Sequence, residues 1–311
     1  MRLVYLNQKG IAQQKLAEIF LSCGIGERIP TFTDLQKELK VGIGTIQTAI
    51  KELEMNGIIQ LQAQQRYGTI LTGKSTKELW KFLSKRYVVG LFPEPLSLEM
   101  RGLAMGLREV MDDLDIPLVI VYGYGSKVRF DRIVNRPTRE DFVISSLESA
   151  RHRQKADEAL AVSLRFGANS FYAADSLVIL DNIRSEDKEM RKKIVGIDYN
   201  SYDHMLLTQA AFPDADYVNV RYGEIPFESL SGKMDTVVWH QTTPVHFPED
   251  MIKARKFESV IPDFDIDSIC EAVLSINRNN RLMTGIMESI DVEKVIDIQK
   301  KVLNRELEPI F

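Results

Sequence analysis

Residues 26–71 read GERIPTFTDLQKELKVGIGTIQTAIKELEMNGIIQLQAQQRYGTIL. After Pro30 comes a short helical pattern with Leu35 and Leu39 on one face. Thr31 precedes it, and Asp34 stands three residues on, at the spacing of a capping box. Val41-Gly42-Ile43-Gly44 reads as a turn. A second helix follows, with Ile46, Ala49, Ile50 and Leu53 at helical spacing, and Asn56-Gly57 supplies its stop. Two strand-like runs then flank Gln64, Gln65 and Arg66, and the second runs through Tyr67-Gly68-Thr69-Ile70. Helix, turn, helix and β-hairpin in this order make a winged helix-turn-helix. Its second helix is shaped to enter the DNA major groove.

The stretch resembles the GntR-type DNA-binding domain. Gly26 and Pro30 ahead of the first motif helix, Ala49 and Leu53 in the second, Gly57 after it and Gly68-Thr69 in the wing carry the resemblance. It implies binding to duplex operator DNA. That family opens its recognition helix with Ser and Arg, where this chain has Gly42 and Ile43. Grip is therefore expected from Thr45, Gln47, Thr48 and Lys51, with Arg66 on the wing. The other reading of the motif is a winged helix used only for protein contacts.

The length, 311 residues, suits two domains. Net charge is −4, yet residues 1–75 hold nine Lys and Arg against six Asp and Glu, and the remainder 31 against 38. A mildly basic reader joined to an acidic body suits a regulator with an effector domain. A surplus of only three charges implies modest nonspecific affinity for DNA. Cys23 and Cys270 stand far apart in sequence and form neither a metal-ligand pattern nor a disulfide framework, which fits a reducing cytoplasm. No early apolar run resembles a signal peptide, and no stretch reaches the length of a membrane span. A cytoplasmic protein that uses no membrane is the expectation.

Ahead of the motif, Ile11, Leu16, Ile19 and Phe20 predict a first helix over 11–22. A short helix is expected at 76–84. From residue 87 strands alternate with helices, with strands expected at 87–91, 117–122, 142–144, 176–180, 193–197, 217–220 and 236–239. Helices are expected near 249–254 and over 266–277, 279–289 and 291–305, with a strand at 259–261. Such alternation predicts mainly parallel sheets covered by helices, in two lobes joined by crossovers near 176–182 and 239–247. The domains are then 1–75, a winged helix-turn-helix of α+β type; 76–86, a linker; and 87–311, a two-lobed α/β effector-binding domain. The last resembles the type II periplasmic-binding-protein fold, reused as an effector domain as in LysR-type regulators. Reader and body together, with stretches such as KIVGIDYNSYDHMLL and DTVVWHQTTP, look like the YhfZ family of transcriptional regulators. Winged-helix regulators of this kind bind DNA as dimers, so a homodimer is expected.

In open α/β sheets ligands bind beyond the carboxyl ends of the strands. Four such ends carry polar groups: Pro93–Ser97, Ser145-Ser146, Asp198–Asp203 and His240–Thr243. Ser97 and Ser201 would stand at helix N-termini, where free N–H groups favour an anion. Arg101, Ser145, Ser146, Asn200, His240 and Thr242 complete the candidate set for a small anionic effector. Each has a plainer reading: Ser97 and Ser201 as helix caps, His240 as a core histidine beside Trp239. Asp198 and Asp203 work against a fully charged anion, which favours a ligand whose anionic group is balanced by a cationic or hydroxyl-bearing part. No G-x-S-x-G, H-E-x-x-H, zinc-ligand spacing or phosphate-binding loop is present, and no cofactor or metal is expected. The reading is a transcriptional regulator and not an enzyme. The alternative is an enzyme or solute-binding domain whose winged helix serves as a protein-interaction module.

Overall fold

The structure, a computed structural model, describes residues 8–135, 139–183, 192–241 and 247–309. It divides into two compact units. One comprises residues 8–88, 110–118 and 278–290, the other 89–109, 119–277 and 291–309.

The first unit opens with α1 (Gln8–Ser22), which buries Ala12, Leu16, Ala17, Phe20 and Leu21. The motif follows as α2 (Phe32–Leu39) and α3 (Ile43–Met55). Thr31 caps α2 by accepting from the Asp34 N–H at 3.2 Å, and its hydroxyl donates to the Asp34 carboxylate at 2.6 Å. Lys40 ends α2 in the left-handed region. The turn is two residues shorter than the sequence suggests: Gly42 is the N-cap of α3, and Ile43 and Gly44 already belong to the helix. At the far end Gly57 (φ 69°) and Ile58 close a Schellman motif, with Ile58 N–H to Leu53 O at 2.9 Å and Gly57 N–H to Glu54 O at 2.9 Å. The wing is the antiparallel hairpin β1 (Ile59–Gln64) and β2 (Gly68–Lys74). Ser75 then caps the short α4 (Thr76–Trp80).

The second unit begins within β3 (Val88–Phe92) and α5 (Leu98–Asp113). It continues with β4 (Leu118–Tyr122), α6 (Ser126–Val134), β5 (Phe142–Ser146), α7 (Leu147–Ala156) and β6 (Leu160–Arg165). The chain then builds a separate sheet from β7 (Leu177–Asn182), β8 (Ile194–Ile197), β9 (Asp216–Asn219), β10 (Thr236–His240) and β11 (Ile252–Lys256), with α8 (Tyr202–Ala211) and α9 (Ile225–Glu228). After α10 (Asp267–Cys270) it returns as β12 (Ala272–Asn277). α11 (Arg281–Met287), which belongs to the first unit, and α12 (Val292–Leu303) follow. The sheet orders are β4-β3-β5-β12-β6 and β11-β7-β10-β8-β9, giving two lobes. In the second lobe β7 alternates faces: Leu177 and Ile179 pack with Leu207 and Val238, Val178 and Leu180 with Val237 and Trp239. Gly102 and Gly106 on α5 let α12 approach closely, for a Cβ at Gly106 would meet the Val295 carbonyl at 2.7 Å.

Both sheets are mixed rather than mainly parallel: β12 runs antiparallel to β5 and β6, and β7 antiparallel to β10 and β11. The helix expected near 249–254 is the edge strand β11. Only Ile252 of its five residues is buried, and its basic side chains suit an exposed edge. The helix expected over 266–277 is the one-turn α10 followed by β12. Between two neighbouring strands, AVLSIN is buried at five consecutive positions, so its residues carry neither period. Residues 259–261 form a bend and no strand. The crossovers lie at 166–176 and 257–271, outside the positions expected, because 177–182 and 236–240 are strands of the second sheet. The two crossover segments touch, with Phe171 N–H donating to Cys270 O at 2.8 Å.

Candidate functional site

The loop after β3, the start of α6, the first crossover and the ends of β8 and β10 converge on a cavity between the lobes. Ser97, Arg129, Tyr172, Ser201, Asp203 and His240 are among its walls. Its free space is about 50 Å3, far below the roughly 300–1,000 Å3 of a ligand pocket. The lobes fill most of it with contacts to each other. The Arg221 guanidinium pairs with Glu94 at 2.6 Å and lies over the Tyr124 ring. The Tyr124 hydroxyl donates to Asp198 at 2.9 Å, and Lys127 N–H donates to Asn200 O at 3.1 Å. A side chain at Gly125 (φ 63°) would run into Asn200, so the close approach of the lobes needs glycine there. His152 stacks on Tyr202 with ring centroids 3.7 Å apart.

Three charged side chains of this cleft, Asp203, Arg129 and Asp198, are buried. Asp203 sits in the first turn of α8 and is 3% exposed. Its carboxylate accepts from the Ser146 hydroxyl at 2.6 Å and from that of Ser149 at 3.0 Å, both from the other lobe. Burial raises its pKa from 3.8 to about 6, against the lowering effect of those hydroxyls and of Arg129. Arg129 is 4% exposed; burial lowers its pKa to about 10, so it stays charged at neutral pH. One guanidinium nitrogen donates to Gly123 O at 3.1 Å, while Nε is buried without a partner. Asp198, fully buried, accepts from the Tyr124 hydroxyl and from the N–H groups of Asn200 and Tyr222, each at 2.9 Å.

The two histidines are neutral. His204 Nδ1 accepts from Asp198 N–H at 2.9 Å and Nε2 faces Val238 O at 3.0 Å, which fixes the Nε2–H tautomer. His240 Nδ1 is 2.6 Å from the Tyr222 hydroxyl, and its Nε2 is buried without a partner. Burial lowers both to about 4. Burial also drives the Tyr172 and Tyr222 hydroxyls far above their ordinary range.

Of the residues read from the sequence, Ser97, Ser201 and His240 line the cavity. Ser97 and Ser201 are also helix caps, accepting from Met100 N–H at 3.2 Å and His204 N–H at 3.4 Å. Ser146 caps α7 by accepting from Ser149 N–H at 2.9 Å and reaches the cleft through Asp203. Asn200 borders it, with its amide donating to the Tyr124 hydroxyl at 3.2 Å. Arg101 and Ser145 are not in the lining: Arg101 donates to Pro95 O at 3.0 Å, and the buried Ser145 hydroxyl donates to Ser146 O at 3.0 Å. Thr242 lies outside the described residues. Arg129, Tyr172 and Tyr222 were not legible, since a lone arginine on a polar helix reads as solvated until the second lobe covers it.

On the winged helix, α3 buries Ile46, Ala49, Ile50 and Leu53. Gln47, Thr48 and Lys51 are exposed on the other side, and Thr45 is half-buried. The Thr48 hydroxyl donates to Gly44 O at 2.8 Å, which leaves its lone pairs outward. Arg66 is exposed at the wing tip. Arg28, which carries no motif signal, rests on the wing: a Cβ at Gly68 (φ 86°) would meet its Nε at 2.6 Å. The first turn of α3 has no side-chain cap, and no atom stands within 4 Å of a Cβ built at Gly42 or Gly44.

No helix of the described residues is long and apolar enough to cross a membrane, and no group of three or more His, Cys, Asp or Glu among them is placed to hold a metal.

Fold and cleft define a helix-turn-helix domain joined to a two-lobed domain like the type II periplasmic-binding proteins. A family model for a helix-turn-helix domain matches residues 24–71. The YhfZ C-terminal domain model matches residues 75–311, and the chain belongs to that family. The protein YhfZ of Escherichia coli (strain K12) is 26% identical over 314 residues, covering all of both chains. Among solved structures, YhfZ from Shigella flexneri matches with a TM-score of 0.58 at 22% identity, over 76% of this chain and 98% of that one. An L-arginine-bound amino acid ABC transporter substrate-binding protein from Streptococcus pneumoniae matches with a TM-score of 0.50 at 13% identity, over 76% of this chain and all of that one.

Proposed function

We propose that the protein is a DNA-binding transcriptional regulator whose two-lobed domain binds a small metabolite bearing an anionic group and thereby modulates operator binding. The observation that carries the effector half is the pair of unpartnered buried polar atoms in the cavity wall, Arg129 Nε and His240 Nε2. Such atoms cost free energy until a partner reaches them. The Arg129 guanidinium takes the ligand's anionic group. The buried Asp198 and the carboxylate of Asp203 make a second negative charge on the ligand costly and favour a balancing ammonium or hydroxyl. The Ser97 and Ser201 hydroxyls, one from each lobe, also line the cavity. Because the free space is small, ligand entry requires the lobes to part.

For the reader, Gln47 and Thr48 face base edges and Lys51 a phosphate, with Thr45, Arg66 and Arg28 supporting. The bare first turn of α3 offers backbone N–H groups to a second phosphate. This stands in for the Ser and Arg that the GntR-type resemblance leads one to look for at Gly42 and Ile43. Two copies acting as a homodimer would present two recognition helices to successive half-sites. The reading assigns no catalytic step. The test is twofold: thermal shift of the full chain against a metabolite library, and retention on duplex DNA as salt is raised. A ligand that binds the native state raises the unfolding temperature. Retention that ignores salt would contradict DNA binding.

A further inference from the structure

Asp203 occupies a position that suits a ligand's carboxylate better than a surface side chain. It stands on the second lobe, yet its acceptors are served from the first, by Ser146 at 2.6 Å and Ser149 at 3.0 Å. Those two serines form the opening turn of α7, with Ser149 N–H committed to the Ser146 hydroxyl. The helix N-terminus, two hydroxyl donors and the buried Arg129 together make an anion cradle. Ser126 closes its side: its hydroxyl accepts from Tyr202 N–H at 3.1 Å and lies 3.3 Å from the Ser149 hydroxyl. The one Ser149 proton can go to Asp203 or to Ser126, and an ionised Asp203 claims it. Both serine hydroxyls are thus spent on the protein itself, while Arg129 Nε is buried without a partner.

We propose that Asp203 is a built-in anion that holds the effector cradle and keeps the lobes closed when no effector is present, so that a carboxylate-bearing effector binds by displacing it and loosening the lobes. This rests on the reading of the cleft as the effector site, and it names the class of group that enters. Two hydroxyls and one guanidinium match the two oxygens of a carboxylate. A doubly charged phosphate would meet the neighbouring buried carboxylate of Asp198 without a further cation. The direction of the change also follows: the effector opens a self-closed cleft, instead of closing an open one.

The experiment removes the internal anion and supplies one from solution. In the full chain, Asp203→Ala should melt lower than wild type. Acetate, compared with chloride at equal ionic strength, should raise the variant's unfolding temperature by roughly 2–4 °C and leave wild type unmoved. Adding Ser149→Ala to the variant should abolish the response. Asp203→Asn keeps the bulk without the charge and guards against an alanine variant that fails to fold. By small-angle scattering it should show a more open second unit than wild type. An equal acetate shift in wild type and Asp203→Ala would overturn the proposal, and so would an Asp203→Asn as closed as wild type. Neither measurement needs operator DNA or the natural effector. A failed rescue therefore leaves the metabolite screen intact, and a barren screen leaves the rescue standing.

Discussion

Asp203 and His240 line the cleft, His204 is buried next to Asp203 on α8, and the three pull the pH dependence of stability in opposite directions. Each histidine has a folded pKa of about 4, against 6.5 when free. Their stabilisation is complete above pH 6.5 and is lost as pH falls toward 4, because the unfolded chain takes up protons that the fold refuses. Asp203, raised from 3.8 to about 6, acts the other way: its contribution is complete below 3.8 and is lost as pH rises through 6. Two histidines outweigh one aspartate. Stability should therefore fall by about 1.4 kcal/mol per pH unit on acidification between roughly pH 6 and 4, the value of one net proton. Urea unfolding across that range checks it. In His240→Phe the fall should flatten to near zero, and an unchanged slope would mean that His240 titrates normally in the fold. At Ser201 the cap is a long one, and Ser201→Gly should cost only a few tenths of a kcal/mol. If its hydroxyl serves the effector, the thermal shift from the best ligand of the screen should shrink in that variant.

At the scale of elements, α3 and α11 are the two that carry sharp expectations. Lys51→Ala should weaken DNA binding on all sequences alike and lower the salt slope by about one. Gln47→Ala should cost about 1–3 kcal/mol on the operator and little on random DNA. Equal losses on both would show that Gln47 does not read a base. α11 packs on α1 so tightly that a Cβ at Gly285 would collide with the Leu21 carbonyl. The contact is framed by Lys74, which donates to Leu21 O at 2.9 Å and Cys23 O at 2.8 Å and pairs with Glu288 at 3.7 Å. The Thr76 and Ser289 hydroxyls meet at 2.6 Å. Gly285→Ala should push α11 from α1 and destabilise the first unit by roughly 1–3 kcal/mol, read by hydrogen exchange at the α1 amides. Unchanged exchange would mean that α11 shifts at no cost.

For the whole molecule, the first unit takes residues from three parts of the chain. A fragment ending at residue 88 lacks α11, whose Met283, Ile286 and Met287 are buried. We expect that fragment to unfold at a lower temperature than the same fragment fused through a short linker to 278–290. Identical melting of the two would show that the amino-terminal segment completes its own core.

The amino-acid sequence by itself determined the winged helix and the two-lobed α/β class, because the signals involved are local. Thr31 and Asp34, Asn56-Gly57, Ser97 and Ser201 each act within one turn of their own backbone, and periodicity marks α3 and α12 without help from neighbours. The strand direction of β12, the edge strand β11 and the crossover points were decided only by the tertiary structure. A central strand buried on both faces loses its alternation, and an edge strand of basic residues owes its place to pairing with β7, far off in the sequence. The cleft was decided in the same way. Ser97, Ser201 and His240 were legible because they sit at element ends, where a polar residue is conspicuous. Arg129, Tyr172 and the seat of Asp203 among Ser146 and Ser149 were not, since each owes its burial and its charge state to the other lobe. Desolvation by a distant segment leaves no trace in the residues beside it.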